Sequence, residues 1–296
     1  MEKHIPRTDL ACEIGQNIKS DGTNGILARE QVKNGIRTLV TDITTKEGEQ
    51  YSGRVIGQYV TVYTGEFWLD TPEKYNALFT TIASILEKMT QSAFPGVSKS
   101  KLKILVTGLG NRFITSDALG PLTVDRLIAT RHIRNTDARL FRLIGSCETS
   151  LLAPGVVGQT GFEAAELIRG ASDCAKPDLV LAIDALAARS LERLGTTVQI
   201  SNRGIMLGAG IGNHRQSIDK DTMGIPVFSL GIPTVVSSST LILEAIEKAK
   251  LHADNSHLHK ILESGESYFV TPKECDAIVS EGAKLLADSI SHAFRL

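Results

Sequence analysis

Several kinds of chemistry are missing from this sequence. None of its four cysteines, Cys12, Cys147, Cys174 and Cys275, stands in a C-x-x-C pair, so a disulfide frame or a zinc site lacks the spacing it needs. Reduced thiols are expected. No apolar run approaches the roughly 18 residues that span a bilayer, and the opening MEKHIPRTDL has no apolar core of a signal peptide, which together predict a cytoplasmic protein. Charge of one sign is also lacking: 32 basic and 33 acidic residues give a net charge of −1, so neither nucleic acid nor a membrane surface is favoured as a partner. The phosphate-binding pattern G-x-x-x-x-G-K-[ST], the metalloprotease pattern H-E-x-x-H and the serine-hydrolase pattern G-x-S-x-G do not occur. GLGNRF at 108–113 and GAGIGN at 208–213 begin like a dinucleotide loop, yet each lacks the third glycine. No cofactor is expected. There is no repeat of 20 to 50 residues and no low-complexity tract.

What remains is an ordinary globular composition, 42% hydrophobic and 22% charged over 296 residues, enough to bury a sizeable core. From 35 to 69 the text alternates in short β-rich pieces, GIRTLVTDITT, GRVIGQY and YVTVYTGEFWL, with KEGEQYSG as a turn, and reads as a small antiparallel meander. DTPEKYNALFTTIASILEKMT predicts a helix with Asp70 or Thr71 as N-cap, Pro72 in the first turn and Leu78, Ile82, Ile85, Leu86 and Met89 as its apolar stripe. After residue 101, strand and helix alternate: LKILVTG then GPLTVDRLIATRHI, ARLFRLIG then GFEAAELIRGASD, DLVLAID then ALAARSLERL, IPVFSLGI then SSTLILEAIEKAKL. A last helix is expected from Thr271 and Pro272. The predicted fold class is α/β, a mostly parallel sheet with helices on both faces and a small N-terminal antiparallel β extension, in a single domain.

In such sheets ligands gather beyond the carboxyl ends of the strands. Asp117 lies in the loop after KILVTGLG, and Asp184 is expected to end LVLAID. Either aspartate could simply cap the helix that follows it. Together they could form an acid/base pair, since two neighbouring carboxylates resist ionising at once, leaving one to donate a proton while the other activates water. That chemistry hydrolyses amides without a covalent intermediate. Two glycine loops are candidates for shaping a cleft: Gly108, Gly110 and Asn111 in GLGN, and Pro154, Gly155, Gly158, Gln159, Thr160 and Gly161 in LAPGVVGQTGFEAAE, the latter read equally well as a tight turn into a helix. Both could present backbone N–H groups to a substrate carbonyl. His252, His257 and His259 cluster in HADNSHLHK, which reads as a solvated surface or, less readily, a metal site.

VTGLGNRFITSDALGPLTVDRLIATRH, LAPGVVGQTGFEAAELI, KPDLVLAIDALAARSLERL, TTVQISNRGI, GAGIGN and GIPVFSLGIPTVV, in that order, resemble the core of the germination proteases of spore-forming Gram-positive bacteria, and the likeness runs from RTDLACE to FVTPKECDAI. The resemblance implies an endopeptidase of the spore core that degrades small acid-soluble proteins coating spore DNA. It also implies a homotetramer, a fold shared with the hydrogenase-maturation endopeptidases, and a catalytic pair on Asp117 and Asp184. It further implies an inactive zymogen matured by loss of a propeptide, here residues 1–9, with the cut between Asp9 and Leu10. The 237–270 region is short where the family pattern implies a longer segment, and His214 stands where a lysine is expected. Because a histidine joins two carboxylates around a metal in the hydrogenase-maturation relatives, His214 raises a second reading, a metal-dependent maturation endopeptidase. A third is a non-catalytic peptide-binding module in which both aspartates are caps.

Overall fold

The computed structural model describes residues 8–10, 12–15, 25–206, 217–250 and 268–296. Among these, eight strands follow one another across a mixed sheet: β1 (Ile26–Lys33), β2 (Ile36–Ile43), β3 (Gly57–Tyr63), β7 (Thr197–Ser201), β10 (Val227–Ser237), β6 (Leu179–Ala188), β4 (Lys103–Gly108) and β5 (Glu148–Leu152). A ninth, β11 (Phe269–Val270), pairs with β10, and β8 (Ile205–Met206) with β9 (Ser217–Ile218) forms a separate small ribbon. β10, β6, β4 and β5 run parallel, and β1, β2, β3 and β7 form antiparallel ladders on the far side of β10. The antiparallel extension is thus continuous with the parallel sheet.

The parallel strands are apolar on both sides, and their period of two sorts the residues onto two layers. Ile104, Val106, Leu181, Ile183, Leu230 and Ile232 face the larger core, with Leu78, Ile82 and Leu86 of the Pro72–Ala93 helix and Leu285, Leu286 and Ile290 of the Cys275–Phe294 helix. Leu105, Val180, Ala182 and Val227 face the other layer, with Ala165 and Ile168 of the Ala164–Ala175 helix. Each of the fully buried valine, leucine and isoleucine side chains contributes about 1.5–3 kcal/mol. The 72–93 helix starts as its sequence dictates, with the Thr71 hydroxyl accepting from Lys74 N and Pro72 in the first turn.

Four expectations are corrected. β1 precedes the expected start of the meander because Asn34 and Gly35, both at positive φ (52° and 76°), close a two-residue hairpin. KEGEQYS is a helix, Lys46–Ser52, capped by Thr45. ARLFRLI is a helix, Ala138–Ile144, because Asp137 caps it at two amides and Gly145 ends it at φ 67°; the strand follows at 148–152. The last helix begins at Cys275 rather than at Thr271. The four cysteines are unpaired as expected, three of them buried. No helix among the described residues is long and apolar enough to cross a membrane.

Candidate active site

β4 empties into a turn that only glycine permits. A Cβ on Gly108 would lie 2.2 Å from Gly120 O, and one on Gly110, at φ +106°, would lie 2.0 Å from Asp117 O and 2.9 Å from its Oδ1. The chain folds back on itself here because those two positions carry no side chain. Asp117 closes the single 3-10 turn Thr115–Asp117. Its N–H donates to Ile114 O at 2.8 Å, and its Oδ2 accepts the Asn111 N–H at 2.7 Å. From the neighbouring strand, the buried hydroxyl of Thr234 donates to Ser116 O at 2.6 Å. Thr234 sits where the register of β10 against β6 shifts, between Pro233 and Val235.

Asp184 does not end its strand: β6 continues to Ala188, and ALAARSLERL gives only a short 3-10 turn, Leu191–Arg193. The period of two places Asp184 on the same face as Val180 and Ala182. Neither aspartate is a helix cap. The Leu119–Val124 helix starts from Ala118 without a side-chain cap, and Asp184 is followed directly by the rest of its own strand rather than by a helix.

Asp117 and Asp184 instead line one cavity of about 340 Å³, together with Asp9, Glu163, Thr234 and the apolar Leu109, Ile205 and Phe269. Burial pushes the Asp184 carboxyl well above the ordinary carboxylate range, and the charges of Asp117 and then Asp9 push it further, against the Ala185 N–H that donates to Asp184 Oδ1. Burial also raises Asp9, opposed by the Arg54 guanidinium and by the Ala187 N–H. Burial and mutual repulsion therefore both act against ionising these carboxyls together. By contrast, burial pushes the Cys147 thiol up to about 11 and raises Cys12 and Cys275 as well, so none of these is a ready thiolate.

The predicted cleft residues divide. Gly110 and Gly155 line the cavity; Gly108, Asn111, Pro154, Gly158, Gln159, Thr160 and Gly161 do not. Two of these join the glycine loops: Gln159 Nε2 donates to Asn111 Oδ1 at 2.8 Å. The second loop is a one-turn helix, Val157–Thr160, flanked by Gly155 and Gly161 at φ 72° and 75°. Within GLGN, Leu109 N–H is committed to Ile183 O and Asn111 N–H to Asp117, so these two amides do not face a substrate. Sequence reasoning missed Glu163, Thr234, Ile205 and Phe269. Thr234 could have been found only from the β-bulge that turns it inward. His214, the GAGIGN loop and His252, His257 and His259 lie outside the described residues, among which no three His, Cys, Asp or Glu side chains cluster as a metal site.

Asp9 brings the described part of the N-terminal stretch, residues 8–10 and 12–13, to this cavity. Asp9 N–H donates to Ala187 O and Asp9 Oδ2 accepts from Ala187 N, both at 2.8 Å. Arg54 holds Thr8 O, Leu10 is fully buried against Leu186, Ala188, Leu194 and Val236, and Glu13 Oε2 accepts from Arg189 N at 2.8 Å.

These features define an α/β protein whose sheet carries an acidic cleft beyond one of its parallel strands. A family model described as germination protease matches residues 7–260. The chain is 36% identical to the germination protease of Caldanaerobacter subterraneus subsp. tengcongensis, with 98% of this chain and 94% of that protein aligned. It is 39% identical to the germination protease of Bacillus velezensis over 85% of this chain and 69% of that one, and 33% identical to that of Clostridium perfringens strain ATCC 13124 over 98% and 95%. The chain belongs to the germination protease family and is a protease.

Proposed function

We propose that this chain is an endopeptidase of spore germination that cuts small acid-soluble spore proteins by an aspartic-type mechanism. One observation carries the mechanism: Asp117 and Asp184 line the same cavity, and Asp184 is held toward its protonated form by burial and by the Asp117 charge. One carboxyl donates to the substrate carbonyl or the leaving amine while the other accepts a proton from water. Asp117, which accepts from the Asn111 N–H, suits the ionised partner, and Asp184 the protonated one. The apolar wall of Leu109, Ile205 and Phe269 seats an extended chain.

Residues 1–9 act as a propeptide and 10–296 as one peptidase domain. Asp9 in the cavity beside both aspartates, with Leu10 anchored just beyond it, supports self-processing between the two. The active form is a homotetramer in the spore core. Incubation of the wild-type chain and Asp117→Asn with a small acid-soluble spore protein, followed by intact-mass analysis of enzyme and substrate, tests the reading. Wild type is expected to fragment the substrate and lose its own first nine residues, and Asp117→Asn to do neither. A mutant that processes as well as wild type removes the Asp-pair mechanism. Loss of activity on chelation, restored by a divalent cation, shifts the assignment to the metal-dependent reading.

A further inference from the structure

β6 outlasts its neighbour. Pairing with β4 stops at Gly108 opposite Ile183, and Leu109 N–H still reaches Ile183 O, but β6 runs on to Ala188. Alternation turns the N–H and C=O groups of Ala185, Ala187 and Arg189 toward the side β4 has vacated. Each of those three amides meets a carboxylate in place of a strand: Ala185 N donates to Asp184 Oδ1 at 2.9 Å, Ala187 N to Asp9 Oδ2 and Arg189 N to Glu13 Oε2, both at 2.8 Å. Among the described residues only one rung has strand character, Asp9 N–H on Ala187 O. An unpaired edge is a template for another chain unless it is covered, and among the described residues the cover is two side chains and one amide of the N-terminal stretch.

We propose that this free edge of β6, centred on Ala187, is the rail on which substrate docks. An extended polypeptide segment without structure of its own adds as a strand beside Ala185–Ala188, its backbone amide and carbonyl taking over the contacts that Asp9 makes in cis. Strand addition binds through main-chain hydrogen bonds and so accepts varied side chains. It also delivers the peptide bond beside Asp184, which the same strand carries. The inference rests on the reading that Asp117 and Asp184 cut the docked chain, but it concerns binding and is measured without turnover.

The test uses the full chain carrying Asp117→Asn and a dye-labelled peptide of residues 3–16, followed by fluorescence anisotropy. Replacing Asp9 by Pro in the protein removes both the amide and the carboxylate from the edge, and is expected to raise peptide affinity at least about tenfold by detaching a tethered competitor. Asp9→Ala, which removes only the carboxylate, is expected to act in the same direction more weakly and serves if the proline variant fails to fold. Methylating the peptide's Asp9 amide nitrogen is expected to weaken binding about tenfold, the loss of one well-placed hydrogen bond. Methylating its Leu10 amide, which in the chain turns to its own Thr8 hydroxyl, is expected to cost less. Equal effects at the two amides, or an affinity indifferent to both Asp9 substitutions, overturn the rail. The expected binding pattern with no cleavage of the same peptide by wild type keeps the rail and removes the hydrolytic reading; cleavage without the pattern does the reverse.

Discussion

In the antiparallel half of the sheet the ladders run from end to end, eight rungs between β1 and β2 and seven between β2 and β3 without a shift. In the parallel half β4 stops while β6 continues, and β10 slips register at Pro233/Val235. Matched strands satisfy their own backbone and leave nothing for a ligand. Strands that end at different heights leave amides, a bulge and side chains such as Thr234 and Asp184 facing a common space. Chemistry collects where the ladder is imperfect, and stability where it is complete.

The strongest break of that comparison is chemical. Asp117→Asn or Asp184→Asn is expected to lower cleavage by at least about 10²-fold with an unchanged circular dichroism spectrum; a folded variant keeping more than a tenth of wild-type activity contradicts the pair. Next comes Gly110→Ala, whose methyl collides with Asp117 O. A loss of about 1–3 kcal/mol in urea unfolding is expected from the positive φ, together with a fall in kcat beyond tenfold because the displaced carboxyl is misplaced for the reaction. Val62→Ala, fully buried near the end of β3, is the counterpart in the complete half: about 2 kcal/mol less stable by the same measurement, with kcat per folded molecule unchanged.

A smaller effect concerns pH. The folded pKa of Asp184 lies above its unfolded value near 4. Below pH ~4 both states hold the proton and the group is neutral to stability; as pH rises the unfolded chain ionises first, so stability falls progressively up to the folded pKa. Asp184→Asn is therefore expected to raise Tm by a few degrees at pH 7, less at pH 4, in thermal melts run across that range. The smallest expected effect is Gly158→Ala. With no positive φ and no atom within 4 Å of the added methyl, stability should stay within about 0.5 kcal/mol and activity should not move.

Much of the frame was legible locally. The 72–93 helix announced its cap, its proline and its stripe, and the parallel strands showed their unbroken apolar runs. ALAARSLERL misled because alanine and leucine favour helix, while pairing of Leu186 and Ala188 with β10 holds the segment extended. ARLFRLIG misled through its apolar density, although Asp137 and Gly145 bracket a helix. Asp117 and Asp184 stood out by position and resemblance, but that they share a cavity depends on contacts between distant segments. Asp9 at Ala187, 178 residues away, leaves no local trace at all, and the same holds for the hydroxyl of Thr234 on Ser116.

β10 is hydrogen-bonded antiparallel to β7 on one edge and parallel to β6 on the other, which has a consequence for how the molecule comes apart. It is the seam of the sheet, so neither half can melt while the other keeps its inner edge covered. Slow amide exchange in β2 and β3 should be lost together with that in β4 and β6, in one cooperative unit. The longest-range pairing in the sheet lies one strand away, where Thr61 of β3 meets Gln199 of β7 across 138 residues, and closing it carries the largest loop entropy of any strand pair. The acidic cavity needs a long closure of its own, Thr234 of β10 against Ser116, 118 residues away, so it cannot form from local segments alone.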